Sequence, residues 1–311
     1  MNKELISIAV IAFNSERTIL DTLNSILAQD YGSRNIELII SDDGSTDKTN
    51  QIVTIWLNKY NSKFGKIIVN FVVKNKGIVN NFNTVCKLAT SNWIKIIAAD
   101  DVLYPNCISE LYNYATENNH VECLFCKIEK FNDSGKMGIF PKKNLFFNSS
   151  AEKQFINLLI DNFAPAPGSF FKSSILKKIG YADLNYNIIE DYPLWLKLTS
   201  YGIKLYLLDK PLVGYRLCES VSNKKDKLIN EFLNYEVYIC KKDNLKKIKN
   251  NKFFYYLLLV DIYLFRFSNL IIINVFKNKK NILVRKFCSA IRLFSLIFIA
   301  RKFIQLLSKN Q

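Results

Sequence analysis

Three pairs of adjacent carboxylates carry the most chemistry in this chain: Asp42-Asp43, Asp100-Asp101 and Glu190-Asp191. The first two follow apolar runs at residues 36–41 and 93–98, which places them at strand tips. Neighbouring like charges are unfavourable alone and become useful where a cation or a ligand's donor groups face them. Hard oxygen ligands in this setting suit Mg2+ or Mn2+ that also takes diphosphate oxygens, which makes Asp100 and Asp101 the candidate metal residues. An Asp-rich turn with no ligand is the simpler alternative for either pair taken singly. Glu190-Asp191 precedes Tyr192-Pro193-Leu194-Trp195, where Pro193 suits the first turn of a helix. A carboxylate at that positive helix end is favoured in its ionised form, as a general base requires, although ordinary helix N-terminal charge preference gives the same sequence. Asn75-Lys76-Gly77 offers a glycine for close backbone approach and a lysine for phosphate, or simply a turn.

The elements that must position these groups read as β/α alternation. Residues 5–13 are almost continuously apolar, as in a strand buried on both faces of a parallel sheet. Asn14 or Ser15 can cap a helix in which Ile19, Leu20, Leu23, Ile26 and Leu27 recur at helical spacing until Gly32. A strand at 36–41, a helix from about Asp47 to Tyr60, a strand at 67–73, a helix at 78–89 and a strand at 93–98 follow, with Asp47 as a cap. In such sheets ligands lie outside the carboxyl ends of the strands, where the acidic pairs fall. Further on, the pattern gives helices at 104–118, 151–162 and 190–201, strands near 121–128 and 203–208, and a turn at Asp133-Ser134-Gly135.

Composition bounds the class. A chain of 311 residues with 49% hydrophobic residues and mean hydropathy +0.03 accommodates one α/β domain and an apolar appendage. Residues 224–311 hold 19 Lys and Arg against 5 Asp and Glu, a net +14, so residues 1–223 carry only +2 of the total +16. A basic tail rich in Phe, Leu and Ile suits an anionic membrane surface, whereas a nucleic-acid binder spreads its basic stripe over the folded domain. Residues 253–276 are long enough to span a bilayer but contain Asp261, Arg266, Ser268 and Asn269. Residues 284–307 alternate Arg285, Lys286, Arg292, Arg301 and Lys302 with Phe287, Ile291, Phe294, Phe298 and Leu306, which reads as helices with basic and apolar faces lying in the interface. A helical hairpin packed on the enzyme or forming a homodimer is the alternative. Seven scattered cysteines and a strand-like N-terminus point to a reducing, cytoplasmic location, peripheral on the inner membrane face. Cys123 and Cys126 form a lone C-x-x-C, better read as packed thiols than as a zinc site.

Taken together, the order and spacing of Ser7-Ile8-Ala9-Val10-Ile11-Ala12-Phe13-Asn14-Ser15-Glu16, Asp42-Asp43-Gly44-Ser45-Thr46-Asp47, Asn75-Lys76-Gly77, Ala98-Ala99-Asp100-Asp101, Glu190-Asp191-Tyr192-Pro193-Leu194-Trp195 and Tyr215-Arg216 resemble the family 2 glycosyltransferases of the GT-A fold. The resemblance covers residues 5–222. It implies a GT-A catalytic domain at 1–222, with the basic helical tail at 223–311. It also implies a nucleotide-sugar donor, UDP-linked, and a lipid-linked or glycan acceptor of surface-polysaccharide type. Ala12, Phe13 and Glu16 would line the nucleobase and ribose pocket and Asp42 would accept from the base. Asp43, Asn75, Lys76, Gly77 and Ala99 would complete the donor side. Asp100 would bind the Mn2+ or Mg2+ that bridges the diphosphate, Asp191 would be the base with Glu190 beside it, and Trp195 and Arg216 would face the acceptor. Single displacement at the anomeric carbon needs one base and a counter-charge for the leaving diphosphate, which agrees with this set.

Two positions depart from the family pattern: Ala98 stands where the Asp-x-Asp motif has its first carboxylate, and Cys218 stands where many relatives have His. The Gln-x-x-Arg-Trp motif of processive synthases is missing from the sequence, which favours transfer of one sugar per encounter. Competing readings are a nucleotidyltransferase, which would want a Gly-rich basic loop where this chain has Phe13-Asn14-Ser15-Glu16, and a catalytically degenerate membrane scaffold.

Overall fold

The apolar run near the N-terminus forms β1, Ile6–Ala12, with Ile6, Ile8, Ala9 and Val10 fully buried. In the computed structural model, which describes residues 3–217, 227–248, 252–279 and 281–300, α1 (Ile19–Leu27), β2 (Ile36–Asp42), α2 (Thr49–Tyr60), β3 (Lys66–Phe71), α3 (Ile78–Leu88) and β4 (Trp93–Ala98) follow. All but α1 lie within two residues of the boundaries expected from the sequence; α1 starts at Ile19, later than an Asn14 or Ser15 cap allows, and ends at Leu27, short of Gly32. β1 pairs in parallel with β2 and β4, and β2 with β3. Their register aligns Ala12 with Asp42 and Ile11 with Ala98, so the three tips end level at one edge of the sheet.

The remaining elements are β5 (Val102–Leu103), α4 (Cys107–Glu117), β6 (Cys123–Asn132), β7 (Gly135–Phe140), α5 (Ala151–Ile160), β8 (Ser169–Lys172), α6 (Ser173–Ile179), α7 (Asp191–Ser200) and β9 (Tyr206–Arg216). The sheet order is β3-β2-β1-β4-β8-β6-β9-β5, with β7 paired to β6. β8 runs antiparallel to both β4 and β6, and β6 runs parallel to β9. That inserted strand restores the direction of β6 and β9 to that of β4, which carries Arg216 to the same edge as Asp42 and Asp100. The sequence pattern gave no sign of β5, β7, β8 or α6, and it ended β9 at residue 208.

By internal packing the chain divides into residues 1–154 with 163–217, and residues 155–162 with 218–311. The first unit holds the whole sheet. In the second, α8 (Glu231–Leu245), α9 (Lys252–Asn274) and α10 (Ile282–Ile291) are helical. α9 is long and apolar enough to cross a membrane by length and composition. The expected helix at 284–307 is met by α10 in part, and residues 301–307 lie outside the described residues. In α9, Asp261, Ser268 and Asn269 are buried while Phe253, Tyr256, Tyr263 and Phe267 are exposed.

Candidate active site

At the tip of β2 the two carboxylates do different things. Asp42 is fully buried and closes its own turn, accepting from Ser45 N at 2.8 Å, from Ser45 Oγ, and from Asn50 Nδ2 at 3.2 Å. The group expected to accept from a nucleobase is thus occupied by the turn it shapes. Asp43 accepts from Lys76 N at 2.9 Å and Gly77 N at 2.8 Å, so it holds the Asn75-Lys76-Gly77 loop through its backbone and is a support rather than a donor contact. Gly44 makes this possible: its φ is +75°, and a Cβ there would stand 2.8 Å from Asn75 N. Asn81 of α3 reaches the carbonyl oxygens of Ser41 at 3.1 Å and Ala12 at 3.5 Å, tying the tips of β1 and β2 together.

The loop after β1 is crosslinked to the same turn. Asn14 adopts φ +49°, donates from N to Ser45 Oγ at 2.7 Å, and accepts from Thr46 N at 2.9 Å. Neither Asn14 nor Ser15 caps α1, because both are engaged across the loop and the helix begins only at Ile19. Glu16 and the Asp47-Lys48 segment exchange bonds: Glu16 N donates to Asp47 Oδ2 at 3.0 Å, and Lys48 N donates to Glu16 Oε2 at 3.1 Å. Asp47 Oδ1 also accepts from Thr49 N at the start of α2. This leaves Phe13, 48% exposed, as the large apolar side chain at the rim.

The turn after β4 is held carbonyl by carbonyl. Thr18 Oγ1 donates to Ala99 O at 2.8 Å, Arg216 Nε to Asp100 O at 2.9 Å, and Thr22 Oγ1 to Asp101 O at 2.7 Å. Asp101 is only 1% exposed and accepts from Arg216 N at 2.9 Å, while its Oδ2 is buried with no hydrogen-bond partner among the described residues. Burial, then the adjacent Asp100 charge, push its carboxyl well above the usual range. Asp101 therefore anchors β9 through the bond it accepts from Arg216 N. Asp100, partly exposed, is the carboxylate that the turn presents. Arg216, expected toward the acceptor, has its guanidinium paired with Asp21 at 2.8 Å and lying over Phe131 at 4.8 Å. With Ala98 in place of a carboxylate, the tip offers one outward carboxylate. That fits a divalent cation completed by diphosphate oxygens and water, not a closed protein cage. Among the described residues no three His, Cys, Asp or Glu side chains come together as a metal group.

The third acidic pair opens α7, with Glu190 as its N-cap and Asp191 in the first turn. The segment leading to it runs past the donor-side loop: Asn187 O would lie 3.5 Å from a Cβ on Gly77, and Asn83 of α3 exchanges bonds of 2.9 Å with the backbone of Ala182. Burial, followed by the Asp191 charge, pushes Glu190 up to about 8. One carboxyl of the pair thus keeps its proton at neutral pH, which suits the other to act as an ionised base. Trp195, expected on the acceptor side, is 1% exposed and packs against Phe125 at 4.9 Å and Phe171 at 5.7 Å, because one α7 face is the domain core. Cys123 and Cys126 are buried thiols of β6, and Cys218 lies outside the described residues.

Thr18, Thr22 and Asn81 went unnoticed in the sequence. Their signal is a polar residue in the buried register of α1 or α3 or, for Thr18, just ahead of α1.

Comparison with known proteins agrees with this architecture. The model of the family "Glycosyl transferase family 2" matches residues 7–180. The Escherichia coli UDP-Glc:alpha-D-GlcNAc-diphosphoundecaprenol beta-1,3-glucosyltransferase WfaP is 32% identical over 207 residues, 65% of this chain and 72% of that protein. The crystal structure of Staphylococcus aureus TarS in complex with UDP-GlcNAc superposes with a TM-score of 0.65 at 21% identity, covering 87% of this chain and 76% of that one. GalNAc-T7 with UDP, GalNAc and Mn2+ superposes at 0.53 with 15% identity, covering 70% and 44%. The fold is GT-A, and the chain belongs to glycosyl transferase family 2.

Proposed function

We propose that this protein is an inverting glycosyltransferase that moves one hexose or N-acetylhexosamine from a UDP-sugar to a lipid-linked glycan at the inner face of a membrane. The observation that carries the reading is the turn after β4, whose three carbonyls are all held by Thr18, Arg216 and Thr22 and whose outward carboxylate is Asp100. UDP-GlcNAc in the TarS complex and Mn2+ in the GalNAc-T7 complex support the donor class and the cation. The undecaprenyl diphosphate acceptor named for WfaP supports the lipid-linked acceptor.

Phe13 supplies an apolar face at the rim for a nucleobase, and Lys76, on the loop that Asp43 holds through its backbone, binds a phosphate. A divalent cation, when bound at Asp100, offsets the charge that grows on the departing diphosphate. Asp191 takes the proton of the acceptor hydroxyl as that oxygen bonds to the anomeric carbon, and the bond to UDP breaks with its electron pair leaving on the diphosphate. Protonated Glu190 limits charge repulsion beside the base.

The test is release of UDP from UDP-glucose and UDP-GlcNAc with Mn2+ and an undecaprenyl-diphosphate-linked sugar acceptor. Turnover that depends on acceptor and is lost in both Asp100→Ala and Asp191→Asn is expected. Donor binding with no turnover on any lipid-linked acceptor points instead to the degenerate scaffold that Ala98 raises, and no donor binding refutes the reading.

A further inference from the structure

The second unit presents an apolar face that its own helices leave bare. On α9 the exposed large side chains are Phe253, Tyr256, Val260, Tyr263 and Phe267, at alternating spacings of three and four residues, which is a single stripe along the helix. All five are between 48% and 72% exposed, Tyr263 with one side against Tyr238 of α8 at 6.4 Å. Three polar residues within the helix point the other way: Asp261, Ser268 and Asn269 are buried, and Asn269 Nδ2 donates to Asn234 Oδ1 of α8 at 3.2 Å. Exposed lysines bracket the stripe, Lys252 before it and Lys277 and Lys279 after it.

We infer that this stripe lies in the plane of an anionic membrane surface, with Tyr and Phe at headgroup depth and the bracketing lysines on phosphates. Aromatic side chains with basic neighbours and a tail of net +14 match such a surface in both polarity and charge. Spanning is disfavoured because α8 packs along α9. Lys241 lies over Phe265 at 5.0 Å and Arg266 over Tyr235 at 5.0 Å, so a span would drag α8's charged residues into hydrocarbon. This inference rests on the transferase reading only for its purpose, bringing the enzyme to a lipid-linked acceptor.

The test uses the full chain without donor, so that its outcome is separate from turnover. Co-sedimentation with vesicles of phosphatidylglycerol and phosphatidylcholine is compared with phosphatidylcholine alone, for wild type and for F253S/Y263S/F267S. Preference for the anionic vesicles, weakened about a hundredfold or more in the variant, is expected. Unchanged binding by the variant, equal binding to both vesicles, or retention after alkaline carbonate extraction overturns it. So does a wild-type dimer that becomes monomeric in the variant, which would make the stripe a seam between copies. Phe267→Trp gives a reading free of folding damage. Trp56, Trp93 and Trp195 are all buried, so a blue shift of emission on adding anionic vesicles reports the stripe, and no shift overturns the proposal.

Discussion

Replacing Glu190 with Gln isolates the proton held at the mouth of α7. In the wild-type protein Glu190 is pushed up to about 8 from an ordinary 4.5, by burial first and the Asp191 charge second. A raised carboxyl pKa means that the native state holds the proton more tightly than the unfolded chain does. The associated stability is fully present below about pH 4.5 and is lost as pH rises through about 8. Between about pH 5.5 and about pH 8 the two values give about 3 kcal/mol of lost stability, and water reaching the partly exposed residue trims this to about 1–3 kcal/mol. Glutamine has no proton to lose, so E190Q lacks that slope. Guanidinium unfolding of both proteins at the two pH values should show E190Q gaining about 1–3 kcal/mol on the wild type at the higher pH. Near pH 7, where Glu190 is about nine-tenths protonated, E190Q should keep turnover within about threefold, whereas Asp191→Asn should lose at least about a hundredfold. Stability curves that stay parallel within about 0.5 kcal/mol would show that Glu190 ionises normally, and the division of labour in the pair would fall.

Asp100→Ala should weaken Mn2+ binding to the UDP complex at least about tenfold by calorimetry, while Asp101→Asn, which keeps the acceptor for Arg216 N, should leave it within about threefold; equal losses would make Asp101 a ligand after all. Arg216→Lys removes the fork that joins Asp21 to Asp100 O, and should destabilise by about 1–2 kcal/mol in denaturant melts and raise the Mn2+ requirement more than it lowers kcat. Gly44→Ala, at φ +75° and against Asn75 N, should destabilise by about 1–3 kcal/mol, and a variant as stable as wild type contradicts the packing described. Asp43→Ala should raise KM for the UDP-sugar about tenfold with a smaller change in kcat, since it frees the Asn75–Gly77 loop from its two backbone bonds.

The parallel half of the sheet was legible because each strand is buried on both faces and each crossover helix keeps one apolar side, so period and length alone separate them. The antiparallel half was not. β8 is four residues long and β5 two, too short for any alternation, and their place is fixed by pairing with β4, β6 and β9 rather than by their own composition. The apolar pattern of β9 stops at residue 208, where Asp209-Lys210-Pro211 interrupts it. In the fold this stretch is a bulge where the register with β6 shifts, and Lys127 pairs with Asp209 across it. α8 was missed because its few apolar residues follow no clear stripe, and its contacts with α9 are made by Asn234, Tyr238 and Lys241.

The acidic pairs show why site residues were harder to assign than the site. At a strand tip the chain turns, so two consecutive carboxylates point in different directions and take different tasks. Asp43 and Asp101 are the members that point back into the protein, each accepting backbone N–H bonds from a distant segment. Their chemistry in sequence is indistinguishable from that of their neighbours: Asp42 is also buried and closes its own turn, and Asp100 alone is partly exposed. What separates them is the presence of a backbone donor from another element at the right height, Gly77 N for Asp43 and Arg216 N for Asp101. The same argument accounts for Ala98. The turn after β4 is fixed by Thr18, Thr22 and Arg216 rather than by a cation shared between two carboxylates, so loss of the first carboxylate leaves Asp100 in place. A cation there has fewer protein ligands and leans more on the diphosphate, which predicts that Mn2+ binds measurably only together with UDP. Titration calorimetry of Mn2+ with and without UDP decides it: tight binding to the nucleotide-free protein would mean that other protein ligands complete the site.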